Sequence, residues 1–346
     1  MVKILIVDDS VFMRTVIRDM VTKDPTLEVV GTASNGQDAL EKIHTLKPDL
    51  VTLDIEMPRM TGIQVLEELR KQKQRPKILM LSTLTSEGAE MTHKAIQLGA
   101  DDFMLKPKDI PHVREISDEL VSKIKHLLTL PSQPVTRKAP SQTGSAERVV
   151  LIGSSAGGPP MLDTLLAALP PDLPAGVMVT QHMPTGFTAA LAERFNRIAS
   201  MPVKETENGD IIETGKILLS KAGVHTIISG DMDAHKTRIG RIIHSSTPPL
   251  HGVRPAVDKT FESAAKVYGK NIVSVILSGM GNDAGEGAHA VKEAGGTSIL
   301  CDEKDCLVYG MARSAIQKNA VDKVLPLNKL APEIERLVHQ MEDAHV

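Results

Sequence analysis

Two groups of reactive residues stand out by type and position. In the first third of the chain, Asp8-Asp9, Asp54, Ser82 and Lys106 each close or follow a short β-branched run. Ligands of an open parallel sheet sit beyond the carboxyl ends of its strands, so three carboxylates, a hydroxyl and an ammonium are expected at one edge. Carboxylates gathered there repel one another unless a cation joins them. An oxygen-only site with few protein ligands suits magnesium and its retained waters. Asp54 then reads as a nucleophile toward phosphorus. An aspartyl phosphate brings about two negative charges and three acceptor oxygens, which Ser82 and Lys106 are placed to receive. For each Asp taken singly, a plain helix cap remains the alternative.

The second group lies beyond residue 150. Gly153-Ser154-Ser155-Ala156-Gly157-Gly158-Pro159 follows an apolar run, and Gly-x-Ser-x-Gly fits a nucleophile elbow whose strained turn exposes one serine hydroxyl. Of the 12 histidines, His182 directly follows a buried-looking strand. Asp283 follows another, so three strand ends offer Ser155, His182 and Asp283. Two other readings stay open. A glycine-rich turn often only permits tight strand–helix packing. Gly279-x-Gly281-x-x-Ala284, with Asp302 closing the next strand, imitates a dinucleotide-binding fingerprint. His225, His235, His244, His251 and His289 show no ligand-like spacing and are expected to be surface or structural. Cys301 and Cys306 are too few for a zinc site and are expected to remain thiols without a role.

The elements that must position these residues alternate. Ile4–Val7, Glu28–Ala33, Leu50–Leu53, Lys77–Leu81 and Asp102–Leu105 read as strands separated by helical patterns, which predicts a parallel, doubly wound sheet. Thr129–Ala146 is rich in Pro, Ser, Thr and Gln and reads as a linker. Alternation resumes with Val149–Ile152, Gly176–Thr180, Ile272–Leu277 and Thr297–Leu300, a second α/β domain. Short β-like runs between Met201 and Pro255, such as Ile217–Leu219 and Thr226–Ile228, suggest an antiparallel extension. The chain's 346 residues suffice for two cores. With 40 basic against 43 acidic residues, no Trp, two Tyr and five Phe, there is neither the charge nor the stacking surface for nucleic acid. The uncharged portion of Leu173–Ala192 is interrupted by prolines, Gly186 and His182, so no membrane insertion is expected. Met1 leads straight into a strand-like run with no export signal, giving the cytoplasm as the expected compartment.

Asp8-Asp9, Asp54, Ser82, Phe103 and Lys106-Pro107 resemble the receiver domain of two-component response regulators. IGSSAGGP, VTQHMPTGFT, HGVRPAVDKTFESAA, VILSGMGNDAGEG and CDEKDCLVYGM resemble, in order, the catalytic domain of the chemotaxis protein-glutamate methylesterases, the CheB family. The resemblance implies a flavodoxin-like receiver over residues 1–125, a linker over 126–146 and a Rossmann-like α/β methylesterase domain over 147–346. It implies phosphorylation at Asp54, magnesium on Asp8, Asp9 and Asp54, and a switch formed by Ser82, Phe103 and Lys106. Ser155 would be nucleophile, His182 general base and Asp283 its partner, with backbone at Met280 and Ala156 binding the oxyanion and no cofactor for ester hydrolysis. The implied partners are a histidine kinase as phosphodonor and methyl-accepting chemotaxis receptors as substrates, whose glutamate methyl esters are hydrolysed and whose glutamines are deamidated. The unphosphorylated receiver is expected to cover the catalytic edge. Departures from the family pattern are Ala156 for Thr, Ala256 for Ser, Ala312 for Pro, and Lys221-Ala222-Gly223 for a more Pro-rich turn. Arg254 and Asp258 are assigned either to the substrate groove or to a buried ion pair.

Overall fold

The protein is described from a computed structural model covering residues 1–72, 74–106, 113–129, 144–232 and 238–343. Pro107, His235 and most of the linker lie outside the described residues. The chain divides into two compact units, Met1–Ser132 and Gln133–Val346.

The first unit runs β1 (Val2–Val7), α1 (Val11–Val21), β2 (Leu27–Ala33), α2 (Gly36–Leu46), β3 (Leu50–Asp54), α3 (Gly62–Leu69), β4 (Lys77–Ser82), α4 (Ser86–Gln97), β5 (Asp102–Leu105) and α5 (Val113–Thr129). Its strands pair in parallel in the order β2-β1-β3-β4-β5. Ile4 to Val7 and Leu50 to Leu53 are wholly buried, as continuous apolar strands must be when helices cover both faces. The strand order reverses between β1 and β3, so the crevice opens beside Asp8 and Asp54. Each helix around it starts on a polar cap: Ser10 for α1, Asn35 for α2, Thr61 with Gln64 in a capping box for α3, and Thr85 for α4. Helix α5 continues to Thr129, four residues into the stretch expected to be linker.

The second unit comprises β6 (Val149–Ser154), α6 (Gly158–Ala168), β7 (Gly176–Gln181), α7 (Thr188–Ile198), β8 (Val203–Glu205), β9 (Ile217–Leu219), β10 (His225–Met232), β11 (Arg238–Ser245), α8 (Val257–Tyr268), β12 (Ile272–Ile276), α9 (Gly285–Glu293), β13 (Thr297–Cys301), α10 (Gly310–Gln317), β14 (Lys323–Leu325) and α11 (Leu327–Asp343). Seven strands form one parallel sheet, β14-β13-β12-β6-β7-β9-β8. The antiparallel expectation is met by β10 and β11, which form a separate hairpin. It fails for Ile217–Leu219, which pairs in parallel with β7 and β8. Its three buried aliphatic side chains suit a two-sided interior position rather than a hairpin exposed on one face. The strand order reverses around β6, with β7 on one side and β12 on the other, which places the crevice between β6 and β12. The core of this unit is aliphatic apart from the rings of Phe187, Phe195, Phe261 and Tyr268.

Candidate functional site

In the first unit, Lys106 reaches across the crevice. Its Nζ lies 2.9 Å from Asp8 Oδ2 and 2.7 Å from Asp54 Oδ2. Burial pushes the Asp54 carboxyl up to about 6, against the pull of the Lys106 ammonium. Burial would lower Lys106, but Asp54 and Asp8 outweigh it, and its ammonium is held above the usual range. Oxygens of Asp8, Asp9 and Asp54 all fall within 4.8 Å of one another. Asp8 Oδ2 is buried without a well-directed hydrogen bond, while Asp9 is exposed to solvent. Three hard donors gathered at one edge, one of them open to water, fit a small hydrated cation. Gly62 is required here because a Cβ would sit 2.1 Å from the Asp54 carbonyl oxygen.

Ser82 ends β4 beside this group, and its hydroxyl is already engaged. It accepts from Thr92 Oγ1 at 2.7 Å and donates to the Gly88 carbonyl at 3.1 Å, tying it to α4. Phe103 is buried on β5. Asp8, Asp9, Asp54, Ser82 and Lys106 therefore stand at the carboxyl ends of β1, β3, β4 and β5, Phe103 lies within β5, and Thr92 is an addition the sequence did not signal.

In the second unit, Ser155 follows β6 and His182 follows β7. These strands pair through Ser154 and Gln181, and His182 donates its backbone N–H to the Ser154 carbonyl at 3.0 Å. The two candidate residues are thus next in register. Gln181 braces them: its Nε2 donates to the carbonyls of Ser155 at 3.0 Å and His182 at 2.8 Å, while its Oε1 accepts from Ser154 Oγ at 2.6 Å. Nothing in the spacing pointed to Gln181, beyond its being polar at the end of an apolar strand.

His182 Nε2 lies 2.7 Å from Asp283 Oδ2. A carboxylate only accepts, so Nε2 carries the hydrogen and Nδ1 is left with the lone pair. Asp283 also accepts from the amides of Val257 at 2.6 Å, Asp258 at 2.9 Å and Ala284 at 3.0 Å. Burial would raise its carboxyl, but His182 and these amides more than offset it, and it stays below the usual range. The nucleophile turn is held from the other side. Ser155 N donates to the Ser278 carbonyl at 2.9 Å, and Ser278 Oγ donates to the Ala156 carbonyl at 2.6 Å. Gly157 adopts a φ of 75°, and a Cβ on Gly279 would lie 3.0 Å from Ser155 Cβ, so both turns need glycine. The amides of Ala156 and Met280 donate to no acceptor among the described residues.

Two expectations are corrected. Arg254 does not pair with Asp258; its guanidinium donates to the carbonyls of Ser246 and Thr247, both at 3.2 Å. Asp258 instead meets His251, whose Nε2 lies 3.0 Å away, so His251 does have a carboxylate partner. A sequence interval of seven residues across a turn gave no warning of it. Asp302, which imitated a ribose-binding acid, accepts from the Lys304 amide at the head of a short 3-10 turn.

Fold and site together define a two-part protein: a doubly wound unit with a carboxylate–lysine pocket, and an α/β unit with Ser, His and Asp at neighbouring strand ends. Family models for the response regulator receiver domain and the CheB methylesterase match residues 4–118 and 150–334. A protein-glutamate methylesterase/protein-glutamine glutaminase of Methanospirillum hungatei is 56% identical over 99% of both chains. One from Symbiobacterium thermophilum is 41% identical over 97% of both. The solved catalytic domain of Thermotoga maritima CheB methylesterase aligns in full with 56% of this chain at 37% identity and a TM-score of 0.53. The chain belongs to the CheB methylesterase family.

Proposed function

We infer that this protein is a phosphorylation-activated esterase of chemotaxis that hydrolyses glutamate methyl esters on methyl-accepting receptors, and deamidates receptor glutamines by the same acyl transfer. The observation that carries this reading is the 2.7 Å His182–Asp283 bond beside the Ser155 turn, in a chain 56% identical to a named methylesterase/glutaminase. Residues 1–125 act as input, 126–146 as linker and 147–346 as the catalytic part, working in the cytoplasm.

Ser155 Oγ attacks the ester carbonyl as His182 Nδ1 takes its proton, and Asp283 stabilises the resulting imidazolium. The tetrahedral oxyanion faces the uncommitted amides of Ala156 and Met280, each such donor being worth about 3–4 kcal/mol in the transition state. His182 returns the proton to the departing methoxide, giving methanol. It then deprotonates the water that releases the glutamate.

In the receiver, Asp54 is the phosphoacceptor and a histidine kinase the donor. Asp8, Asp9 and Asp54 would hold Mg2+, which supplies charge neutralisation for the incoming phosphoryl group. Lys106 moves from two carboxylates to the phosphoryl oxygens. Ser82 must give up its bonds to Thr92 and Gly88 to join it, which transmits the change to α4. The catalytic assignment is tested with methyl-labelled receptor membranes. Wild type is expected to release methanol, and Ser155→Ala and His182→Ala to fall by at least about a thousandfold; undiminished release by Ser155→Ala would contradict it.

A further inference from the structure

Helices α8 and α9 both begin without a side-chain cap of their own, since Ala256 and Ala284 stand at their N-caps. Each is capped by a carboxylate from the other. Asp283, just ahead of α9, takes the first two amides of α8, those of Val257 and Asp258. Asp258, in the first turn of α8, takes the Gly287 amide in the first turn of α9 at 2.7 Å. Gly287 permits the approach, because a Cβ there would lie 2.7 Å from Phe261 Cβ and 3.0 Å from Asp258 Cα. Asp258 is fully buried, and its remaining oxygen meets His251, whose side chain is about a third exposed. The run His182–Asp283–Asp258–His251 is therefore a double imidazole–carboxylate array crossed by two helix N-termini.

We propose that Asp258, with His251, is a positioning pair for the ester cleavage: it locks Asp283 against His182 and sets, by its own charge, how readily His182 serves as base. The proposal rests on the esterase reading for its chemistry but makes a claim about His182 that needs no turnover. Burial and the neighbouring Asp283 push the Asp258 carboxyl up to about 6, against Gly287 and His251. When it ionises, a second negative charge appears beside Asp283 and favours the imidazolium of His182. Among the described residues, Glu286 on α9 feels the charge of His251 and of His289 and is tied to Lys318, and buried His225 on β10 accepts from the Ala256 amide at 3.2 Å at the start of α8. Arg254 is occupied by backbone carbonyls.

The test is NMR titration of labelled full-length protein, following His182 and the Asp258 carboxyl. In wild type, His182 should show an inflection at the Asp258 midpoint. Asp258→Asn keeps an acceptor for Gly287 but no charge. It should lower the His182 midpoint by about 0.5–1 pH unit and shift the rising limb of kcat equally, with KM little changed. His251→Ala, at a partly exposed site, removes the donor and should move the Asp258 midpoint, and the inflection on His182, to higher pH. A purely structural clasp would lower the melting temperature and leave the His182 midpoint in place. That outcome, or a wild-type His182 curve without the inflection, overturns the proposal. Absence of turnover in wild type with these shifts intact would instead overturn the esterase reading.

Discussion

Gln181 shows how one side chain holds two reactive ones. It ties the carbonyls of Ser155 and His182 together, so replacing it with Leu leaves the His182 carbonyl and the Ser154 hydroxyl without a protein partner and the Ser155 carbonyl with only the Gly158 amide. Gln181→Leu is expected to cost about 1–3 kcal/mol in urea unfolding and about 10- to 100-fold in kcat, with a smaller change in KM. Asp54 makes a prediction of opposite sign for stability. Its carboxyl holds a proton up to about 6 in the folded receiver against 3.8 ordinarily, so the folded state binds the proton more tightly. Stability contributed by this group is therefore lost as pH rises from about 4 to about 6. Asp54→Asn should be more stable than wild type by about 1–3 kcal/mol at pH 7 without Mg2+, and the difference should close toward pH 4. Adding Mg2+ should raise the unfolding midpoint of wild type and have less effect on Asp54→Asn. The sequence made Ser155, His182, Asp54 and Lys106 legible because each ends or directly follows an apolar strand, where a polar residue has no packing reason to be, and Asp283 because it lies in the loop that follows one. Gln181, Thr92 and the His251–Asp258 pair stayed hidden because their meaning lies in hydrogen bonds between elements that only the tertiary fold brings together.

At the scale of elements, the catalytic edge depends on how α8 begins. Its N-cap position is occupied by Ala256, with extended backbone angles of -105° and 135° and no side-chain acceptor. Asp283 takes two of the free amides, which leaves the third-residue amide available to a hydroxyl at the cap. Ala256→Ser is accordingly expected to stabilise the catalytic unit by about 0.5–1 kcal/mol, measured by its thermal unfolding. The strands of both sheets could be read from β-branched runs punctuated by helical patterns, and the parallel direction followed from the alternation. The exceptions were the three-residue edge strand β14, which the sequence reading did not name, and the stretch from Met201 to Pro255. There, three-residue strands are too short to carry a period, and their direction is set by which face remains uncovered beside β7. Local sequence supports the β10–β11 hairpin, whereas β8 and β9 owe their parallel pairing to burial within the main sheet.

For the whole molecule, the aromatic scarcity and near-neutral charge that excluded nucleic acid fit a protein whose two units are built from aliphatic strands and connected by a polar, proline-containing stretch. The receiver unit carries a charge-sensitive pocket and the second unit carries the acyl-transfer chemistry, so the molecule's function depends on one governing the other. A change of about two negative charges at Asp54 is a local event, and it alters turnover only insofar as the active arrangement differs in free energy between the two phosphorylation states. Methanol release from methylated receptor membranes, measured with and without a small phosphodonor, tests that claim most directly. Wild type should accelerate on phosphodonor addition, Asp54→Asn should keep its unstimulated rate without accelerating, and Ser155→Ala should release nothing in either condition. Equal acceleration of Asp54→Asn and wild type would contradict the account.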